Sequence, residues 1–161
     1  MHKAEELFAR HHRDVLRYLA HMTGRLDEAE DLAQEVFMKV IRALQNGGAI
    51  GHDRGWVFSI ARNLVVDRYR DQQRQVPQAD SGEPAIEGRQ GVAFDFRQSL
   101  GKLASADREI FLLKEIGGFT YEEIAHACEC TVESVRARLH RTRIALRSMM
   151  NPAASGRNQG F

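Results

Sequence analysis

The sequence is poor in cysteine, proline and long apolar runs. It holds two cysteines, Cys128 and Cys130, and three prolines, Pro77, Pro84 and Pro152. Two cysteines one residue apart cannot build a disulfide framework, which agrees with a reducing compartment. No apolar run approaches the length of a membrane span, and Met1–Ala20 is studded with charge and histidine, so neither a signal peptide nor membrane insertion of this chain is expected. The predicted location is therefore cytoplasmic. Neither sign of charge dominates, with 23 Lys and Arg against 22 Asp and Glu. There is no glycine-rich phosphate loop, no nucleophile with an evident base and no Asp or His cluster at metal spacing. The chain reads as a non-enzyme, with no catalytic residue, no metal and no cofactor.

With 43% hydrophobic and 28% charged residues, the chain can build a core and stay in solution. Strand-like alternation is absent and the prolines fall outside every periodic segment, which predicts an all-α protein. Gln72–Gly91 combines proline, glycine and polar residues in the manner of a flexible linker. The expected division is a helical bundle over 1–73, a linker over 74–97, a second helical domain over 98–150 and a disordered tail over 151–161.

In the N-terminal block, Phe8, Val15, Leu19 and Met22 mark a first helix that stops near Gly24. Asp27 with Glu30 resembles a capping box opening a second helix, with Ala29, Leu32, Val36, Val40 and Leu44 inward. Asp27, Glu28, Glu30, Asp31 and Glu35 crowd its first turns with no basic residue between them. The helix dipole accounts for two or three of these acids. The run continues past the second turn, which leaves a solvated face or a basic partner surface as readings. A third helix is predicted from Asp53–Arg54, with Val57, Ile60, Ala61, Leu64 and Val65 inward. Arg62, Asn63, Asp67, Arg68 and Arg70 then lie largely toward one exposed side. Mixed amide, carboxylate and guanidinium groups suit base edges, while arginine supplies the phosphate attraction. Trp56, Phe58 and Tyr69 lie nearby, able to stack on extruded bases or to join the core.

The C-terminal block carries the sharpest pattern. Thr120 and Glu123 form a capping box, after which Ile124, Ala125 and Cys128 face inward. A short turn follows, Thr131 can cap the next helix, and Val132, Val135, Leu139 and Leu146 recur near helical spacing. Arg136, Arg138, Arg141, Arg143 and Arg147 stand on this helix, and no carboxylate lies between Arg136 and Arg147. A short capped helix, a tight turn and an arginine-bearing second helix is the arrangement that enters a major groove. Arginine there matches guanine O6 and N7 as well as phosphate oxygens.

Three segments together resemble the extracytoplasmic-function (group IV) sigma factors of the sigma-70 family: AEDLAQEVFMKV at Ala29–Val40, GWVFSIARNLVVDRYR at Gly55–Arg70, and DREIFLLKEIGGFTYEEIAHACECTVESVRARLHRTR at Asp107–Arg143. The resemblance implies sigma region 2 and region 4 domains on a tether, acting with core RNA polymerase on promoter DNA, with all chemistry left to the polymerase. It assigns polymerase docking to Asp31, Gln34, Glu35 and Phe37. It gives minus-10 recognition to Arg62, Asn63, Asp67, Arg68 and Arg70. Minus-35 recognition falls to Ser134, Arg136, Ala137, Arg138, His140, Arg141 and Arg143. It also implies an anti-sigma factor as partner. The chain departs from the family at Glu129, where relatives carry glycine or asparagine in the turn, and at Glu133 and Ala137, where small or hydroxylated residues are frequent. A non-glycine residue at the turn implies either a wider turn or accepted strain.

Two other readings compete. A homodimeric helix-turn-helix regulator acting without polymerase explains the second block but leaves the acidic helix and the Asn63–Arg70 face unused. A metal or redox sensor built on His126, Cys128, Cys130 and His140 needs ligands at a cramped C-x-C spacing, and Cys128 reads more simply as a small buried hydrophobe. The paired His11 and His12 are expected at the surface or facing a partner.

Overall fold

The computed structural model describes residues 2–48, 53–75 and 92–151. Seven helices account for its regular structure, and no strand occurs among the described residues. Helices α1 (His2–Thr23), α2 (Leu26–Gln45) and α3 (Asp53–Gln75) pack on one another as a three-helix bundle. Leu7, Val15, Tyr18 and Leu19 of α1 are fully buried with Ala29, Val36 and Val40 of α2 and Val57, Phe58 and Ala61 of α3. Burying each of the larger side chains contributes about 1.5–3 kcal/mol, so the apolar stripes, rather than helix propensity, hold the bundle together.

Local chemistry sets the bounds. Gly24 takes φ 72°, the left-handed position after a helix, and its N–H donates to the Ala20 carbonyl at 2.8 Å. The chain turns so tightly there that α2 begins at Leu26, with Arg25 in the N-cap position and no side-chain cap. The capping box expected at Asp27 and Glu30 is therefore absent. Asp27 lies inside the first turn, where its carboxylate complements the helix dipole instead of accepting a cap bond. Two assignments on α1 also change. Leu7 is buried in place of Phe8, which is 49% exposed, and His11, expected at the surface, is buried at 7% exposure. His11 faces the bundle because it lies four residues from both Leu7 and Val15, on the buried stripe.

The remaining helices are α4 (Val92–Lys102), α5 (Ser105–Glu115), α6 (Tyr121–Ala127) and α7 (Val132–Met150), with α4, α5 and α6 all packed against α7. Helix α3 runs to Gln75 and α4 starts at Val92, so both ends of the segment expected as linker over 74–97 are helical. Phe96 explains the early start of α4, since its ring packs against Phe111 and against His21 of α1. The rest of that segment, 76–91, and the tail beyond Asn151 lie outside the described residues.

After α5, Gly117 and Gly118 turn the chain. A Cβ on Gly117 would stand 2.6 Å from the Leu113 carbonyl oxygen, and Gly118 takes φ 68°. This turn lets the Phe119 N–H reach the Leu113 carbonyl at 3.0 Å and buries the Phe119 ring. The two groups of helices meet along a seam where α1 packs on α5. There the Phe58 and Phe119 rings pack edge to face at 6.5 Å.

Candidate polymerase and nucleic-acid interfaces

The helix-turn-helix is built by its caps. Thr120 Oγ1 accepts from the Glu123 N–H and Glu123 Oε1 accepts from the Thr120 N–H, each at 3.1 Å, completing the reciprocal box. Helix α6 ends at Ala127 with Cys128 as its C-cap, and Glu129 takes φ 53°, so the turn is narrow and carries the strain of a non-glycine residue in the left-handed region. Cys130 N–H closes back on the Ala125 carbonyl at 3.0 Å. Thr131 then caps α7, its Oγ1 accepting from the Ser134 N–H at 3.1 Å.

Helix α7 buries Val135, Leu139, Thr142 and Leu146. The opposite side exposes Arg136, Ala137, His140, Arg141 and Arg143, with Arg138 and Ser134 half-buried at its edges. Two of these guanidiniums are partly held. Arg136 lies 5.5 Å over the Tyr121 ring and Arg143 donates to Glu115 at 3.1 Å. Both partners of the latter pair are more than 40% exposed, a pair that water and salt weaken to a small contribution.

On α2, Asp27, Asp31 and Glu35 are exposed at successive four-residue steps. Like charges at that spacing are mutually destabilising, so the helix gives up stability to present a negative stripe. Gln34 is exposed beside them, but Phe37 is buried at 7% exposure, with its ring edge-on to Phe8 at 5.0 Å. The stripe continues through Met38 and Ile41, 49% and 38% exposed. Met38 lies four residues after Gln34 and Ile41 three after Met38, so helical spacing would have singled out both positions, and Phe37, three residues before the buried Val40, lies at the edge of the inward stripe that Phe8 of α1 covers.

On α3, Asn63, Asp67 and Arg70 are exposed, Arg68 is half-buried and donates to Glu28 at 3.2 Å, and Tyr69 is 52% exposed. Arg62 behaves differently. Its Nε donates to Glu109 of α5 at 2.5 Å, with the two side chains only 21% and 14% exposed. Burial pulls the guanidinium pKa down, but the bond and the charge of Glu109 outweigh it and raise the net value. Trp56 packs partly against the core and shares an open cleft with Ser59, Arg62 and Asn63 on one wall and Glu122, Glu123 and His126 of α6 on the other.

Among the described residues no group of three or more His, Cys, Asp and Glu side chains is placed to hold a metal. Burial, followed by the Glu109 charge, pushes the half-buried Cys128 thiol up to about 11, so the free thiol stays protonated at neutral pH. No helix of the described residues is long and apolar enough to cross a membrane.

Comparison with known proteins agrees with this geometry. Residues 7–75 match Sigma-70 region 2 and residues 93–146 match Sigma-70, region 4. The ECF RNA polymerase sigma factor EcfG of Rhodopseudomonas palustris is 30% identical over 135 residues, covering 80% of this chain and 75% of that protein. The RNA polymerase sigma factor YlaC of Bacillus subtilis is 28% identical, with 91% of each chain covered. Among solved structures, the sigma factor RpoE of Bartonella quintana, crystallised with the anti-sigma factor NepR, superposes with a TM-score of 0.76 at 25% identity, covering 94% of this chain and 98% of that one. The chain belongs to the extracytoplasmic-function RNA polymerase sigma factors of the sigma-70 family.

Proposed function

We propose that this chain works as two tethered domains, a region 2 bundle from α1 to α3 and a region 4 helix-turn-helix from α4 to α7, whose separate faces are brought into register by core RNA polymerase. Asp31, Gln34 and Glu35 dock on a basic surface of the polymerase, with Met38 and Ile41 supplying apolar contact and Phe37 supporting the patch from beneath. Arg62, Asn63, Asp67, Arg68 and Arg70 read the minus-10 element as the duplex opens. Ser134, Arg136, Ala137, Arg138, His140, Arg141 and Arg143 line the helix that enters the major groove at the minus-35 element. The polymerase performs the chemistry, and the chain acts in the cytoplasm.

The observation that carries this reading is the division of charge: a carboxylate stripe on α2 and an arginine face on α7, in a chain of net charge +1. Each nucleic-acid contact is weak alone. Polymerase makes the second contact intramolecular, which raises its effective concentration to about the millimolar range. The RpoE relative was solved with an anti-sigma factor, and an anti-sigma partner covering the α2 and α3 faces fits the same distribution of groups.

Separate variants test the separate roles. Charge reversal at Asp31 and Glu35 should abolish co-purification with core polymerase while leaving the fold intact. Replacing Arg136 and Arg141 by alanine should spare core binding and erase the footprint over the minus-35 element. Loss of both functions from either pair, or of neither, rejects the assignment.

A further inference from the structure

We propose that the seam where α1 meets α4 and α5 is a binding site for a phosphate or pyrophosphate group, free or carried by a nucleotide, held by Arg17, Arg97 and Arg108. The site uses none of the residues assigned above to polymerase or promoter, so it stands independently of those assignments. Its three guanidiniums come from three different helices and all act on the His21 imidazole, whose ring lies edge-on to Phe96 at 6.5 Å. Arg97 follows Phe96 on α4, and Arg108 lies three residues before Phe111 on α5. Those two rings pack at 6.1 Å, which anchors both arginines at the seam.

The cluster lacks a counter-charge. The charged groups that act on His21 are all cations. Arg97 Nη1 and Arg108 Nε are buried without a hydrogen-bond partner. Burial lowers the Arg108 pKa, and only Tyr69 acts against it. The Asp14 carboxylate lies 3.6 Å from Arg17, but it is shared with Arg54 at 3.1 Å. Asp107 precedes Arg108 on α5 and so projects about 100° round the helix from it. Arg108 also stands near the N-terminus of α5, the positive end of the helix dipole, where a cation is disfavoured and an anion favoured. Burying charged donors unpaired costs free energy, and an anion seated among them removes that cost.

Three positive forks suit a di- or trianion better than a single carboxylate, and planar guanidinium donors pair two at a time with phosphate oxygens. The Arg17 side chain is 64% exposed, so the cluster is open to solvent beside α1, whereas Arg97 and Arg108 are half-buried. A guanidinium has five N–H donors. A ligand entering beside Arg17 can therefore engage Arg97 and Arg108 through the rest of each fork and draw the sealed donors into the network. Half-buried donors on three packed helices favour a compact phosphate over an extended DNA backbone.

The test uses the full chain in chloride buffer at fixed ionic strength, titrated calorimetrically with sodium phosphate, sodium pyrophosphate and ADP, with thermal melting in parallel. One anion should bind per chain and raise the melting temperature, as a ligand selective for the folded state does. ADP binding no tighter than pyrophosphate identifies the free anion as the ligand, and tighter ADP binding identifies a nucleotide. Arg97→Gln and Arg108→Gln should each weaken binding about tenfold or more, the loss of one charge-assisted contact. Arg42→Gln, which removes the same charge from the exposed side of α2, should leave affinity unchanged. Followed by proton NMR, His21 should titrate at higher pH with pyrophosphate bound, because an anion among Arg17, Arg97 and Arg108 favours the imidazolium. Where a variant fails to fold, this titration in the parent decides. Absence of saturable binding, weakening by Arg42→Gln as large as by the seam variants, or an unmoved His21 titration overturns the proposal. So does displacement of pyrophosphate by random-sequence duplex at equal phosphate concentration, which would make the arginines a DNA-backbone contact.

Discussion

Lowering the pH should destabilise the folded chain through His21. This imidazole is half-buried at the seam, edge-on to Phe96 at 6.5 Å, with Arg17 of α1, Arg97 of α4 and Arg108 of α5 as its charged neighbours. Burial first, and then those three cations, lower its pKa from 6.5 to about 4. In the unfolded chain the group titrates near its ordinary value, so between those two values the unfolded state binds more protons. The stabilising effect of a neutral His21 is fully present above pH 6.5, declines as the pH falls from 6.5 toward about 4, and changes no further below that. At pH 4.5 the full difference corresponds to about 2.5 kcal/mol, and solvent screening of a half-buried group reduces it to about 1–2 kcal/mol. Urea unfolding at pH 7.5, 5.5 and 4.5, for the parent and for His21→Gln, measures it directly. The carboxylates and His11 titrate in both proteins, so the difference between the two stability curves isolates His21. The parent should lose about 1–2 kcal/mol more than the variant across this interval. Parallel curves would show that the imidazole is solvated, or paired in the folded state, and would refute the reasoning.

Other outcomes follow from the packing and caps. Leu139 is 1% exposed on the buried side of α7, so Leu139→Ala should cost about 2–5 kcal/mol in urea unfolding and weaken minus-35 binding through loss of the helix's seat. Thr131→Ala removes the acceptor for the Ser134 N–H and should cost about 0.5–2 kcal/mol, with Thr131→Ser restoring most of it. Glu129→Gly should stabilise by about 1 kcal/mol, because the backbone at φ 53° no longer carries a Cβ, and it should leave promoter choice unchanged. Replacing both Cys128 and Cys130 by serine should leave the metal content of the purified protein at background and its transcription activity intact, which elemental analysis and run-off transcription check.

What the sequence made legible was local. Thr120 with Glu123 and Thr131 with Ser134 lie three residues apart, so their caps depend on neighbours that can be read directly. The arginine face of α7 follows from helical periodicity once Val135, Leu139 and Leu146 are assigned inward. Motif order then identified the family, which the two region matches bear out. The misreadings arose where a distant element decides the outcome. Phe37 belongs to the core because Phe8 of another helix covers it, and His11 is buried because the bundle closes around it. Asp27 lost its cap role because Gly24 sets where α2 begins, an effect of the preceding turn that a capping pattern cannot reveal. Arg62 looked like one exposed member of a row, and nothing near it in sequence announces Glu109. The early start of α4 at Val92 likewise depends on a seat for Phe96 against α1 and α5.

The central claim is that two weak DNA-facing surfaces act only when core polymerase holds them together. Run-off transcription from a promoter carrying both elements, with and without core enzyme, measures this most directly. The account predicts start-site-specific transcripts with core enzyme present, strongly dependent on the spacing between the elements, and at most weak binding of the same duplex by the free chain. Tight binding of a symmetric duplex site by the free chain, with no specific initiation on adding core enzyme, would contradict it.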